Sequence, residues 1–321
     1  MIGTYPTPVE RLADLSTAST ELWIKRDDIA GDLYGGNKVR RLDKLLDLAR
    51  SRGARRILTL GAAGSHHVLA CSIYASRAGL RTAAVLTPQP AGDHAVSNLK
   101  IALGQGLEAF AARSLATAPF VFASVWRKGD LVVAPGGSSV VGTTGYAEAA
   151  FELGAQIESG ALAMPDAIVV ALGSAGTAAG LLAGTAIAGL PIKVIAVRIV
   201  EPWLMGKWRA LSLARRVARH LGKPVSTRSL AAALEIDARF LGNGYGHPTR
   251  EGARAVATGA RSGVVLDPTY TAKAFAACLD IVASGRYRRV LYWHTLSSRP
   301  LSQFVEQTPA ELPPNLRSLF T

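Results

Sequence analysis

The chain has 321 residues, of which 49% are hydrophobic and 18% charged, enough for one or two domains with large buried cores. Its net charge of +13 fits a nucleic acid or an anionic small molecule as partner. No apolar run predicts a membrane span, and two cysteines, Cys71 and Cys278, are too few for a disulfide framework or a metal cluster. We therefore expect a cytoplasmic protein without membrane contact or bound metal.

Apolar segments typical of buried strands alternate with alanine- and leucine-rich segments typical of helices. The predicted strands are Leu22–Arg26, Arg56–Leu60, Thr82–Leu86, Leu131–Ala134, Ala167–Ala171, Lys193–Arg198 and Val290–Trp293. The predicted helices are Asp43–Arg52, His67–Ala78, Tyr146–Leu153 and Thr177–Ile187. Several strands are apolar without a break, as in sheets buried on both faces, and the alternation favours parallel sheets covered by helices. The sequence thus predicts an α/β fold.

The densest basic segment runs from Lys207 to Lys223. Apolar residues recur within it at helical spacing, which predicts an amphipathic helix with a solvated basic face. A nucleic-acid-binding surface is the alternative, but no RNA-binding or zinc-finger signature accompanies the segment. We predict that the protein binds no nucleic acid.

Lys38 follows two glycines, Gly35 and Gly36, and precedes an apolar pattern of helical period. This spacing places the amine at the start of a helix, beside a flexible turn. Burial there lowers the pKa of a lysine from its usual value of about 10.4 and makes the amine a nucleophile, as covalent attachment of a carbonyl cofactor requires. A solvated lysine in the first turn of a helix is the alternative.

Glycine-rich turns follow three of the predicted strands, at residues 61–65, 135–138 and 172–180. Ligands of open α/β sheets bind at the carboxyl ends of strands, so these turns and Lys38 predict one shared cleft. The turn 173–180 opens a helix, where backbone N–H groups suit a phosphate and Ser174 and Thr177 add hydroxyl donors. Close packing of small residues is the alternative there. The turn lacks the signatures of nucleotide-binding loops.

Other candidates stand in turns. Ser65, which precedes His66 and His67, is placed to cap a helix and face the cleft, although a purely structural cap is equally compatible. Tyr245 and Tyr270 each lie in a turn-rich segment, where a tyrosine either packs or serves the site.

Taken together, these segments resemble the 1-aminocyclopropane-1-carboxylate (ACC) deaminase and D-cysteine desulfhydrase family of enzymes that use pyridoxal 5′-phosphate (PLP). The matching segments occur in one order along the chain: 25–28, 35–38, 136–146, 173–180, 245–249, 266–270 and 294–295. The resemblance implies two doubly wound, mostly parallel α/β domains of PLP fold type II, with the cofactor in the cleft between them. It also implies a larger domain formed by 1–45 and 150–321, a smaller domain formed by 46–149, and a homodimer.

The resemblance also assigns roles to residues. It implies that Lys38 bonds covalently to the cofactor and that Arg41 adds charge at its phosphate, where the family commonly has lysine. The implied cofactor-binding residues are Asn37, Lys38, Arg41, His66, Gly173, Ser174, Ala175, Gly176, Thr177, Thr271 and Thr295. The implied catalytic residues are Lys38, Ser65, Tyr245 and Tyr270.

Two positions bear on the substrate. ACC deaminases have glutamate and leucine where this chain has Thr271 and Thr295, a pattern more like that of the desulfhydrases. The expected activity is therefore β-elimination from a small amino acid, most like D-cysteine, which yields a 2-oxoacid, ammonia and sulfide. ACC deamination and another amino-acid substrate are the alternatives within the family, and a non-catalytic PLP-binding protein is the alternative outside it.

Three departures from the family pattern fall near the expected site. His66 stands in place of asparagine, and Ala175 stands in place of a glycine of the phosphate loop. The segment 296–298 replaces a glycine pair. If position 175 requires a positive φ, its alanine costs backbone freedom there.

Overall fold

The computed structural model of the protein describes all residues from 1 to 321 and contains two β-sheets, each covered by helices. The six-stranded sheet has the order β1-β2-β10-β7-β8-β9, and only β1 is antiparallel to its neighbour. The four-stranded sheet has the order β5-β4-β3-β6 and is parallel throughout. The strands are β1 Val9–Arg11, β2 Glu21–Lys25, β3 Arg56–Ala62, β4 Arg81–Thr87, β5 Leu107–Ala111, β6 Asp130–Val133, β7 Ala167–Leu172, β8 Lys193–Arg198, β9 Leu234–Asp237 and β10 Arg289–Trp293.

Eleven α-helices accompany the strands. They are α1 Asn37–Ser51, α2 His66–Arg77, α3 Asp93–Gly104, α4 Ala118–Val125, α5 Val140–Glu158, α6 Gly176–Ile187, α7 Lys207–His220, α8 Thr227–Ala233, α9 Arg250–Arg261, α10 Thr271–Ser284 and α11 Pro314–Arg317. None of them combines the length and the apolar composition that crossing a membrane requires.

The predicted α/β fold with parallel sheets is confirmed, and all seven predicted strands form within two residues of their predicted ends. The remaining three strands are short and partly exposed, so their hydrophobic pattern is weak. Helix α5 begins six residues before the predicted Tyr146. Its first turns contain Gly142 and Gly145, and because glycine disfavours a helix, the sequence predicted a later start. A Cβ at Gly145 would lie 2.2 Å from the Arg40 carbonyl oxygen, so close packing against α1 requires glycine there.

Apolar clusters cover both faces of the larger sheet, and another fills the space between the smaller sheet and its helices. The smaller sheet's core also includes residues distant in sequence: Leu42 and Leu45 of α1, and Phe304, Leu312 and Leu319. Segment 301–321 therefore crosses from the larger sheet to the smaller one. The predicted division into 1–45 with 150–321 and 46–149 stays a prediction.

A buried set of charged side chains, the ion cluster, fixes the inner face of α1. It consists of Lys25, Asp27, Arg40 and Glu152. Arg40 donates to both Asp27 carboxylate oxygens, at 2.8 and 2.9 Å, and to Glu152 at 2.9 Å. Lys25 donates to Glu152 as well. Every charge in the cluster has a partner of opposite sign. The cluster therefore joins β2, α1 and α5 without leaving an uncompensated buried charge.

Candidate active site

The cleft lies between the two sheets, where the glycine-rich turns after β3, β6 and β7 meet the start of α1, and encloses about 810 Å³. Its wall includes all but one of the residues that the sequence predicted for the site: Asn37, Lys38, Arg41, Ser65, His66, Gly173, Ser174, Ala175, Thr177, Tyr245, Tyr270, Thr271 and Thr295. The exception, Gly176, lies behind the wall, where a Cβ would be 2.9 Å from Cζ of Arg41. The predicted shared cleft therefore exists.

Lys38 is the second residue of α1, and the turn before it requires glycine. Gly36 has φ +80°, and a Cβ there would lie 2.5 Å from the Thr295 carbonyl oxygen. The Lys38 amine donates to Oδ1 of Asn37 at 2.6 Å and has no carboxylate within ion-pairing distance. Burial, reinforced by the Arg41 charge, lowers the pKa of Lys38 to about 7. A large fraction of this amine is therefore neutral, and nucleophilic, near neutral pH.

Arg41 lies one turn further along α1 and is 2% exposed. Its guanidinium donates to the Gly136 carbonyl oxygen and to the Thr177 hydroxyl, while its Nε has no partner. Burial lowers the pKa of Arg41 to about 10, and no carboxylate offsets its charge. We refer to Lys38 and Arg41 as the cation pair. A buried cation without a counterion is unfavourable, so this wall of the cleft favours an anion.

The amino end of α6 completes the anion-binding wall. Ala175 caps this helix with φ +66°, the only positive φ of a non-glycine residue in the chain, so the position does adopt the conformation that glycine prefers. The Thr177 hydroxyl accepts from Asn37 at 3.0 Å and from Arg41, which leaves its own hydrogen free to donate. Ser174 shares a 2.7 Å hydrogen bond with Ser138. Free N–H groups, hydroxyls and cations together suit a phosphate dianion.

His66 lines another wall, and its hydrogen bonds determine its tautomer. Its Nδ1 lies 2.7 Å from the Tyr34 hydroxyl and 3.3 Å from Nδ2 of Asn98. Asn98 also donates from Nδ2 to the Gly64 carbonyl oxygen at 3.0 Å, which fixes its amide orientation. Nδ1 therefore accepts, and burial keeps the ring neutral by lowering its pKa to about 4. The proton is on Nε2, which has no partner in the protein.

The two predicted tyrosines lie together on the side of the cleft opposite the smaller sheet. The hydroxyls of Tyr245 and Tyr270 share a hydrogen bond, and their rings meet edge to face with centroids 5.7 Å apart. Burial raises the pKa of Tyr245 to about 12 and raises the pKa of Tyr270 well above its usual value, so both hydroxyls stay protonated. Ser65 caps α2 by accepting from the His67 N–H at 3.2 Å, so its own hydrogen remains available.

The two threonines differ in their bonding. The Thr271 hydroxyl donates to the Asp267 carboxylate at 2.6 Å and also accepts from the Asp267 N–H. The Asp267 carboxylate in turn accepts from the backbone N–H groups of residues 269, 270 and 271. Thr295 lines the cleft with its hydroxyl unbonded inside the protein. Of the two, only Thr295 retains a hydroxyl hydrogen for a ligand.

Some residues that line the cleft were not predicted from the sequence. Ser138 and Asp267 lie within segments that carried the resemblance, so an adjacent motif marked their position. Gln89, Arg113 and Glu201 line the cleft without any motif of their own. They reach it because the parallel strands and the following loops converge there, which local sequence does not encode.

Comparison with known proteins gives the decisive match. The family model described as pyridoxal-phosphate-dependent enzyme matches residues 1–295. The chain belongs to this family. It is therefore an enzyme, and its cofactor is PLP. The alternative of a non-catalytic PLP-binding protein loses its support.

Individual relatives carry several activities. The chain is 34% identical over 331 residues to nocardicin C-9′ epimerase of Nocardia uniformis subsp. tsuyamanensis, covering 96% of this chain and 95% of the relative. It is 33% identical over 317 residues to D-cysteine desulfhydrase of Klebsiella pneumoniae subsp. pneumoniae, covering 90% and 91%. A solved structure described as an ACC deaminase homologue superposes with a TM-score of 0.81 at 29% identity, covering 100% of this chain and 95% of that one.

The residues present fit PLP. The cation pair lacks a counterion, and Nε of Arg41 and Nε2 of His66 lack acceptors. Glycine at 136 and 176 lets Ser174, Ser138 and Arg41 gather at this wall, because a Cβ would lie 2.2 Å from Oγ of Ser174 at Gly136 and 2.6 Å from Oγ of Ser138 at Gly176. The wall formed by α6 and Arg41 would hold the phosphate, and Lys38 would hold the aldehyde carbon covalently. These individual assignments stay predictions.

Proposed function

We propose that the enzyme is a β-eliminating lyase that acts on a small amino acid, with D-cysteine as the specific candidate. It would release the sulfur as sulfide and convert the rest into a 2-oxoacid and ammonia. The desulfhydrase relative supports the candidate, and so do the threonines at 271 and 295, in place of the glutamate and leucine of the ACC deaminases.

One observation carries this choice: neither carboxylate of the cleft wall stands at position 271 or 295, and each already accepts a hydrogen bond from the backbone. Of the residues that line the cleft only Glu201 and Asp267 are acidic, and both accept from backbone N–H groups, Glu201 from that of Tyr245 at 3.1 Å. A free carboxylate at the pyridine nitrogen would keep that nitrogen protonated and strengthen the cofactor as an electron sink. A hydroxyl such as that of Thr295 supports a weaker sink, which suffices when the leaving group is a thiolate.

The side chains have distinct tasks in this reaction. When bound, PLP supplies the sink for the electrons left at the substrate Cα. Lys38, whose amine has a pKa of about 7, is suited to accept the Cα proton near neutral pH. The protonated hydroxyls of Tyr245 and Tyr270 can donate hydrogen bonds to the leaving group or the substrate carboxylate. Ser65 offers a further hydroxyl donor at the amino end of α2.

Turnover of D-cysteine, L-cysteine and ACC by the purified holoenzyme tests the proposal. We expect sulfide and the 2-oxoacid from D-cysteine, with a higher kcat/KM than for the other two substrates. The double variant Thr271→Glu, Thr295→Leu should lose D-cysteine activity relative to ACC activity. A clear preference of the wild type for ACC would contradict the proposal.

ACC deamination is the second candidate, favoured by the close superposition on the ACC deaminase homologue. The same assay decides between the two, because ACC releases ammonia without sulfide. Homodimer formation and a cytoplasmic location, which the resemblance and the composition suggest, remain part of the proposal.

A further inference from the structure

Gln89 belongs to a segment, 88–91, that continues β4 to the rim of the cleft. Residues 319–321 lie beside this segment and pair with its backbone. The Gln89 N–H donates to the Leu319 carbonyl oxygen at 3.0 Å, and the Thr321 N–H donates to the Gln89 carbonyl oxygen at 3.1 Å. Leu319 is 3% exposed and packs in the core under the smaller sheet. The backbone of Gln89 is therefore held from outside the cleft.

The Gln89 side chain turns to the opposite side, towards the glycine turn before α2. Its Oε1 accepts from the Gly64 N–H at 3.1 Å, and this is the only hydrogen bond of that buried N–H. The carbonyl oxygen of Gly64 accepts from Asn98 of α3 at 3.0 Å. A Cβ at Gly64 would lie 2.3 Å from Cβ of Ala95, so the turn is also closely packed. Two side chains thus hold the residue that precedes Ser65.

The same segment touches the other side of the cleft. Pro90 lies against Gly246, which follows Tyr245 and has φ +82°. A Cβ at Gly246 would be 2.9 Å from Cδ of Pro90. Segment 88–91 therefore connects the turn that carries Ser65 with the turn that carries Tyr245.

We propose that Gln89 is a positioning residue for the substrate side of the cleft. Its backbone is fixed by segment 319–321, and its side chain in turn fixes the Gly64 peptide. Gln89 thereby determines the position of the Ser65 hydroxyl and of the start of α2 relative to the substrate. Gln89 makes no hydrogen bond to the cation pair or to the α6 wall. Since the phosphate wall and Lys38 stay in place, the main effect is expected on substrate binding rather than on PLP binding, and this last step rests on the function proposed above.

Hydrogen exchange of the cofactor-loaded enzyme tests the structural part without any substrate. Gln89→Leu removes the acceptor of the Gly64 N–H, so exchange in residues 61–70 should quicken at least about fivefold, as expected for one lost hydrogen bond. Gln89→Glu retains an acceptor and should stay close to wild type. Gln105→Leu is the matched control, since the half-buried side chain of Gln105 bonds only to Gln307 and not to the Gly64 turn. Unchanged exchange in Gln89→Leu would overturn the proposal.

The functional part requires PLP affinity and the kinetics of D-cysteine. We expect Gln89→Leu to raise KM about tenfold with little change in kcat or in the dissociation constant of PLP, because misplacing binding groups weakens substrate positioning. An equal loss of PLP affinity would overturn the assignment to the substrate side. If the wild type does not turn over D-cysteine, the proposed function fails, while hydrogen exchange still decides the role of Gln89.

Discussion

Arg40 and Arg41 are neighbours in α1, yet they stand in opposite electrostatic surroundings. Arg40 belongs to the ion cluster, where two carboxylates outweigh the cost of burial and raise its pKa. Arg41 belongs to the cation pair, where no carboxylate forms an ion pair with it and burial lowers its pKa to about 10. Both side chains are buried, so exposure does not distinguish them. The two arginines differ in that only Arg41 lacks a counterion, and this difference indicates the face of α1 that binds a ligand.

The largest expected effect comes from removing the nucleophile of the cation pair. Lys38→Ala should abolish covalent attachment of PLP and lower turnover by at least about 10³-fold, within the range for losing a catalytic proton acceptor. Mass spectrometry after borohydride reduction measures the attachment. Lys44→Ala is the control, because Lys44 lies on the same helix and pairs with Glu148 at the surface. Covalent PLP in the Lys38 variant would show that another residue holds the cofactor.

Breaking the ion cluster should instead reduce stability. Asp27 accepts hydrogen bonds from Arg40, Tyr146 and Trp293, so Asp27→Asn should cost about 3–5 kcal/mol of unfolding free energy. Urea denaturation measures this loss. Asp47→Asn, which breaks a surface pair with Arg50, should cost less than about 1 kcal/mol. Equal losses of unfolding free energy in the two variants would show that the buried ion cluster stabilises the protein no more than a surface ion pair does.

The same cluster makes a prediction about pH. Burial alone would raise the pKa of Asp27, but Arg40, Lys25 and Trp293 outweigh it and lower the pKa to about 2. The unfolded value is about 3.9, so the stabilisation is complete above that pH and is lost as the pH falls towards 2. Asp27→Asn should show a smaller loss of stability across this interval.

Removing Arg41 should weaken cofactor binding without destabilising the fold. Arg41→Met deletes a buried charge that has no counterion, so the apoprotein should be as stable as wild type or more stable. PLP affinity should fall about 10- to 100-fold, the range for charged hydrogen bonds. Pyridoxal, which lacks the phosphate, should lose little affinity. Arg40→Met is the matched variant; if both variants destabilise the apoprotein equally, the comparison of the two arginines fails.

The smallest effect concerns the cap of α6. Ala175→Gly relieves a left-handed backbone conformation and should stabilise the protein by at most about 1 kcal/mol. Ala178→Gly, within the same helix, should destabilise it by about 1 kcal/mol. Urea midpoints of the two variants should therefore move in opposite directions. A loss of stability in Ala175→Gly would mean that the local backbone is not strained by its alanine.

Local sequence was sufficient where one segment contains the whole signal. The turn before Lys38, seven of the ten strands and the glycine turns after three of them were predicted, because period and composition encode each of them. Position 175 was expected to restrict the backbone if it required a positive φ, and Ala175 does have φ +66°. The matching segments also brought almost every predicted site residue to the cleft wall.

What could not be predicted depends on distant partners. Arg40 and Glu152 are 112 positions apart, and no local pattern assigns one arginine to the ion cluster and its neighbour to the cation pair. The sequence predicted that the Thr271 hydroxyl binds the cofactor, but in the structure this hydroxyl donates its hydrogen to Asp267. The backbone of Gln89 is held by hydrogen bonds to segment 319–321, which lies more than 200 residues away in the sequence.

The position of β10 has a consequence for how the chain folds. The four strands of the smaller sheet occupy one continuous stretch, 56–133, whereas β10 is inserted between β2 and β7 in the larger sheet. Until residue 293 has been synthesised, β2 and β7 have no strand to join them. Pairings of such long sequence separation form late. Since the cleft lies between the two sheets, we expect PLP to bind only after the last strand has been synthesised.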